Sequence, residues 1–233
     1  MIQQMTFETP KIANPGEAHL ACVLLLDTSA SMAGEPIDNL NQALQNFKDK
    51  VSMDEMAKKR VDVAIVQFND TASLVQDFTP ISHMEPITLT AGGLTAMGAG
   101  INMAIDLVKS RNRFYNELGT PVYKPWIFMI SDGAPTDNME VAFRRIQEEE
   151  SKGKHGKLKF WALGVPGYDQ NIMFRLTKRV MELRDTDFSG IFDWMAESMV
   201  AISVSRVSEE PRLPSLPQNA RKSDPDRVID EDW

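Results

Sequence analysis

Apolar residues along this chain alternate between short unbroken runs and stripes at steps of three and four. HLACVLLL, residues 19 to 26, is a run of the kind expected of a central parallel strand covered on both faces. In EPIDNLNQALQNFKDKV, the residues Ile37, Leu40, Leu44, Phe47 and Val51 form one stripe of a helix, and Pro36 suits its first turn. VDVAIVQF (61 to 68) predicts a second strand. ASLVQDF, after the turn-forming Asn69-Asp70-Thr71, predicts a hairpin partner at the edge of the sheet. Residues 80 to 94 read as a loop ending in GGL, and Met97, Ile101, Ile105 and Val108 mark a second helix. WIFMI (126 to 130) and LKFWALGV (158 to 165) are further buried strands, with a helix over 139 to 150 carrying Val141, Phe143 and Ile146. A short helix is expected over 170 to 179. A last one, from about 190, shows Phe192, Met195, Met199 and Ile202 on one face.

Strands alternating with amphipathic helices predict the α/β class: a doubly wound, mostly parallel sheet with one antiparallel edge strand and helices on both faces. Three regions follow from the pattern: an N-terminal lead-in over residues 1–18, a folded domain over 19–206, and an acidic, proline-containing flexible tail over 207–233. The tail ends in VIDEDW, read as a solvated terminus or, alternatively, as a peptide docking motif.

Composition narrows the function classes. With 42% hydrophobic and 25% charged residues in 233, the chain has material for a packed core. A net charge of −8 argues against a nucleic-acid binder, which ordinarily shows a basic face. The single cysteine, Cys22, lies in an apolar run and reads as a small buried side chain. The N-terminus lacks the charged start and apolar core of a signal peptide, and no apolar run reaches the roughly 18 residues of a membrane span. The expected compartment is the cytoplasm.

The chemistry lies where the strands stop. In VLLLDTSASMAG the apolar run ends at Asp27, with Ser29 and Ser31 at alternate positions; WIFMI ends in SDGAPTDN, with Asp132; Thr95 precedes the helix marked by Met97. In a doubly wound sheet the loops at the carboxyl ends of the strands converge on one edge, where ligands bind. Asp27, Ser29, Ser31, Thr95 and Asp132 would therefore meet as two carboxylates and three hydroxyls. An all-oxygen set without His or Cys suits a hard cation, Mg²⁺ first, with Mn²⁺ or Ca²⁺ as alternatives. Gly92, Gly93 and Gly133 would allow close approach of the loops. The competing local reading is that the serines of SASMAGEP simply cap a helix and that Asp132-Gly133 is an ordinary turn.

Together these three motifs resemble the metal-ion-dependent adhesion site of von Willebrand factor A-type domains, whose first strand ends in Asp-x-Ser-x-Ser, here Asp27, Ser29 and Ser31. Thr95 of the Gly-Gly-x-Thr loop and Asp132 at the end of the fourth strand match the rest. The resemblance covers roughly residues 19 to 206. LLLDTSASMAGEPI, GGLTAMGAGI and MISDGAPTDN are most similar to the bacterial intracellular branch associated with tellurium-resistance operons. Relatives commonly have Gly where this chain has Ala30, which is not a ligand position. The resemblance implies that the hydroxyls bind the ion directly and that the aspartates act largely through water.

A site whose direct ligands are neutral hydroxyls leaves the ion with uncompensated charge, which a partner's Asp or Glu side chain can neutralise. The expected function is thus a non-enzymatic, metal-dependent protein-interaction module. The resemblance implies a stress-response or signalling assembly, with a kinase or phosphatase of the same system as a candidate partner. The rival is a Mg²⁺-dependent phosphotransfer enzyme or phospho-acceptor domain. It would want a second Asp where Ser29 stands, or a Lys after the last strand, where GVPGYD supplies none. His19 and His155 open their strands and so belong to the opposite edge; His83 lies in the long loop. Met53, Met56, Met84 and Met97 are read chiefly as packing residues, and Trp233 with its acidic neighbours as a candidate occupant of another copy's metal site.

Overall fold

The computed structural model describes residues 12–150 and 157–223. In chain order the strands and helices are β1 (Leu20–Asp27), α1 (Glu35–Ser52), α2 (Ala57–Arg60), β2 (Val61–Phe68), β3 (Ala72–Pro80), α3 (Met97–Glu117), β4 (Trp126–Ser131), α4 (Glu140–Glu150), β5 (Lys159–Gly164), α5 (Gln170–Leu176), β6 (Val180–Leu183), α6 (Ser189–Val204) and β7 (Ala220–Lys222). The strands form one sheet in the order β3-β2-β1-β4-β5-β6-β7. β1 to β2, β1 to β4, β4 to β5 and β5 to β6 are parallel, while β3 and β7 close the two edges antiparallel.

β1 is buried along its whole length because both its faces are covered. Leu20, Cys22, Leu24 and Leu26 face α1 and α6; Ala21, Val23 and Leu25 face α3, α4 and α5. Each large aliphatic side chain so buried contributes about 1.5–3 kcal/mol relative to exposure. Strand order runs one way from β1 through β2 to β3 and the other way from β4 through β5 to β6. The reversal falls between β1 and β4, and opens a crevice outside their carboxyl ends.

The doubly wound class and the β2–β3 hairpin are as the apolar pattern predicts. The stripe Ile37, Leu40, Leu44, Phe47, Val51 is the buried face of α1, and Phe192, Met195, Met199 and Ile202 are buried on α6. Several details differ. α5 stops at Leu176, and Val180–Leu183 is a strand, too short to show a period of its own. Phe143 and Ile146 are buried on α4, but Val141 is 46% exposed and Ala142 takes the inward position. Met84 and Met97 are buried while Met53 is exposed.

Residues 209–223, which composition assigns to the tail, lie against the domain. Leu213 and Leu216 pack on the core beneath α6, the Trp194 indole donates to the Pro214 carbonyl at 2.9 Å, and β7 extends the sheet as a second antiparallel edge. Trp194 in turn stacks with Trp126 and meets Trp161 edge-on, at ring-centroid separations of 6.2 and 5.2 Å. A low-periodicity segment is thus held by aromatic surface elsewhere in the chain. The lead-in up to residue 11, His155, and VIDEDW with Trp233 lie outside the described residues.

Candidate functional site

Asp27, Ser29, Ser31, Thr95 and Asp132 all come to the crevice at the carboxyl ends of β1 and β4. Asp27 is the last residue of β1 and fully buried. Its Oδ1 accepts the Ser29 backbone N–H at 2.9 Å and its Oδ2 accepts the Ser131 hydroxyl at 2.5 Å. The chain then makes a 3-10 turn over Ala30–Met32, pinned by the buried Met32 side chain. Ser29 Oγ and Ser31 Oγ lie 3.0 Å apart, and the Ser31 hydroxyl donates to Asp132 Oδ1 at 2.8 Å. A methyl group placed on Gly133 would stand 3.6 Å from Thr95 Oγ1 and 3.8 Å from Ser31 Oγ, so these two hydroxyls border the same small space.

Backbone hydrogen bonds tie the three loops together. Thr28 N–H donates to the Phe68 carbonyl, Gly92 N–H to Thr28 O, and Ala30 N–H to Gly93 O, at 2.9, 2.9 and 3.1 Å. Thr136 N–H donates to Thr95 O while the Thr95 N–H donates to the Thr136 hydroxyl. Gly93 has φ +78°, and the Asp70 carboxylate, which accepts the Leu94 N–H, would lie 2.7 Å from any Cβ there. Of the glycines proposed for close approach, this one needs to be glycine. Gly92 has open space around it, and a Cβ on Gly133 would make ordinary contacts.

Neither serine caps α1: its N-cap is Gly34, and no side chain bonds to that end. The helix-cap reading of SASMAGEP therefore fails. Further supports that no motif marks are Ser131, Thr136, Asp70 and Asp137; the Asp137 carboxylate accepts the Gly98 and Ala99 N–H groups at the start of α3. Ser131 sits beside Asp132 in the strand ending, so its position was readable. Its bond across β4 to Asp27 was not.

Burial pushes the Asp27 carboxyl above the usual aspartate range; the Ser131 and Ser29 hydrogen bonds pull against it, and the charge on Asp132 adds to the push. Asp132 is raised as well, by burial first, with the Ser31 bond opposing. Among the described residues neither carboxylate forms an ion pair.

The donor set fits a small hard cation. Oxygens about 2.0–2.1 Å from Mg²⁺ are about 2.8–3.0 Å apart along the edge of an octahedron. Ser29–Ser31 and Ser31–Asp132, at 3.0 and 2.8 Å, have that spacing. No group of three or more His, Cys, Asp or Glu side chains suited to a metal occurs among the described residues. Any cation here would thus be held by two carboxylates and neutral hydroxyls.

A mostly parallel sheet with a polar crevice at its switch point is the architecture in which α/β domains commonly bind ligands. The von Willebrand factor type A domain family matches residues 22–180, and the chain belongs to that family, whose members are in general protein-interaction modules. The fold is similar to that of the ArnB paralog VWA2 from Sulfolobus acidocaldarius (17% identity over 78% of this chain and 45% of that one, TM-score 0.53). It is also similar to proximal thread matrix protein 1 from the mussel byssus (18%, 91% and 50%, TM-score 0.56). A third similar structure is the open conformation of the pilus adhesin SpaC from Lactobacillus rhamnosus GG (12%, 79% and 30%, TM-score 0.63). This chain spans half or less of the length of each of these. No curated protein matches it. Among the described residues no helix is long and apolar enough to cross a membrane.

Proposed function

We propose that the crevice holds a divalent cation, Mg²⁺ before Mn²⁺ or Ca²⁺, and through it binds an Asp or Glu side chain of a partner protein. The observation that supports this most is the buried Asp27 carboxylate and the half-buried Asp132 carboxylate, with Ser29 and Ser31 Oγ 3.0 Å apart, Ser31 Oγ 2.8 Å from Asp132 Oδ1, and no cationic side chain paired to either carboxylate among the described residues. Ser29, Ser31 and Thr95 would hold the ion by their hydroxyls. Asp27 and Asp132 would hold it through their charge and by orienting water. The cation supplies the positive charge that an incoming carboxylate meets, and the chain's own residues supply the rigid frame.

Ser31 is exposed, and so is Leu94 beside Thr95, so a protein surface can reach the site. The motif resemblance to the tellurium-resistance branch supports a cytoplasmic stress-response or signalling assembly, with a kinase or phosphatase of that system as partner and no chemistry performed by the domain itself. The test is capture of partners from a lysate on the immobilised chain, with and without EDTA, against Asp27→Asn. Partners that elute on EDTA and are not retained by the variant support the reading. Partners that ignore both EDTA and the substitution count against it.

A further inference from the structure

A second cavity lies at the opposite edge of the sheet, at the amino ends of β4 and β5. It measures about 190 Å³ and is bordered by Trp126 and Lys159, which begin those strands, by Ile202 of α6, and by residues 207–211. A 150 Å³ apolar cavity admits benzene, so this one has room for an aromatic ring with a small substituent. One wall is apolar: Trp126, Ile202 and Val207, the last 42% exposed at the mouth. The other carries charge of both signs. Lys124 and Lys159 both turn to the Glu210 carboxylate, at 3.2 and 3.5 Å, while the Glu209 carboxylate, also on the lining, accepts the Arg206 backbone N–H at 3.3 Å and faces its guanidinium at 3.9 Å.

Lys159 is the telling residue. It is only 9% exposed, yet the Glu210 oxygen it faces is shared with Lys124 and stands beyond good hydrogen-bonding distance. A buried ammonium needs a close anion. Burial draws its pKa below the usual lysine range, and the Glu210 charge only partly restores it. Glu210 belongs to the segment crossing the cavity mouth, and shows that a carboxylate is the group this pair of ammoniums accepts.

We propose that this cavity is a binding site for a small organic anion with an apolar body, of arylacetate size. Its carboxylate displaces Glu210 from Lys159 and Lys124, and its ring lies against Trp126, Ile202 and Val207. The site is separate from the crevice at the carboxyl edge and independent of any cation there. Convergent charge on an apolar-walled concavity is the usual make-up of a small-molecule site.

The experiment is calorimetric titration of phenylacetate, and of neutral phenylacetamide, into the wild type, Glu210→Gln and Lys159→Met, with thermal melts to verify that each is folded. Expected is saturable phenylacetate binding, at least about tenfold weaker for the amide, tightened in Glu210→Gln because the internal competitor is gone, and lost in Lys159→Met. Equal binding of acid and amide overturns the proposal. So does an affinity unchanged or lowered in Glu210→Gln, or no saturation of either wild type or Glu210→Gln by roughly 10 mM ligand.

Discussion

The two edges of the sheet treat buried charge in opposite ways. At the amino edge Asp62 is fully buried at the start of β2, and its Oδ2 accepts from His19 Nδ1 at 3.0 Å, from Arg111 at 3.1 Å, and from the Tyr115 hydroxyl. Nearby, Arg60 pairs with Glu17 at 2.8 Å and donates to the Ser203 carbonyl at the end of α6. At the carboxyl edge Asp27 is as deeply buried as Asp62, but its partners are a serine hydroxyl and a backbone N–H. A carboxylate neutralised by its own protein is a structural element. One that is oriented but given no cationic partner among the described residues is, in the function proposed above, where a cation from outside would sit.

The largest effect should come from breaking the amino-edge network. Asp62→Ala removes the buried carboxylate that Arg111, His19 and Tyr115 share and is expected to cost about 3–5 kcal/mol, read by urea denaturation. The carboxyl edge should respond differently. Asp27→Asn keeps the shape and removes an uncompensated charge, so in EDTA its stability should lie within about 1 kcal/mol of wild type or above it. A loss as large as that of Asp62→Ala would erase the contrast. Mg²⁺ at about a hundred times its dissociation constant should stabilise the wild type by about 2.7 kcal/mol and leave Asp27→Asn unchanged, by thermal melts with and without EDTA.

The smallest effect concerns Glu17, whose carboxyl the Arg60 guanidinium holds below the usual glutamate range. A depressed folded pKa gives stability that is complete above the unfolded value of about 4.3 and lost as pH falls through the folded one. With the Arg60 side chain 19% and the Glu17 side chain 34% exposed, the pair is partly screened by water and the gain small. Glu17→Gln should melt slightly below wild type near about pH 7, and the gap should close near about pH 3.

The carboxyl edge was legible in the sequence because its chemistry is written in line with its geometry. An apolar run stopping at Asp27, and another at Ser131-Asp132, name both the strand and its polar end. Strand order then brings the ends together without long-range information. The amino edge was not legible. Asp62 is one acid within VDVAIVQF, His19 one residue ahead of a strand, and Arg111 part of a polar helix turn. Only the folded chain shows that they share an oxygen. β7 was hidden for a similar reason: three residues carry no period, and what fixes them is pairing with β6 and the anchoring of Leu213, Leu216 and Pro214 around α6. Gly93 shows the intermediate case. The Gly-Gly pair itself signals close approach, but in the sequence Asp70, whose carboxylate makes a side chain at Gly93 untenable, is only one residue of a turn.

The most direct test is calorimetric titration of Mg²⁺ into the EDTA-treated chain and into Asp27→Asn. One saturable site in the wild type, absent from a variant that melts normally, is the expected result. No binding to the wild type, or equal binding to both proteins, would contradict the claim that the carboxyl edge is built around a cation.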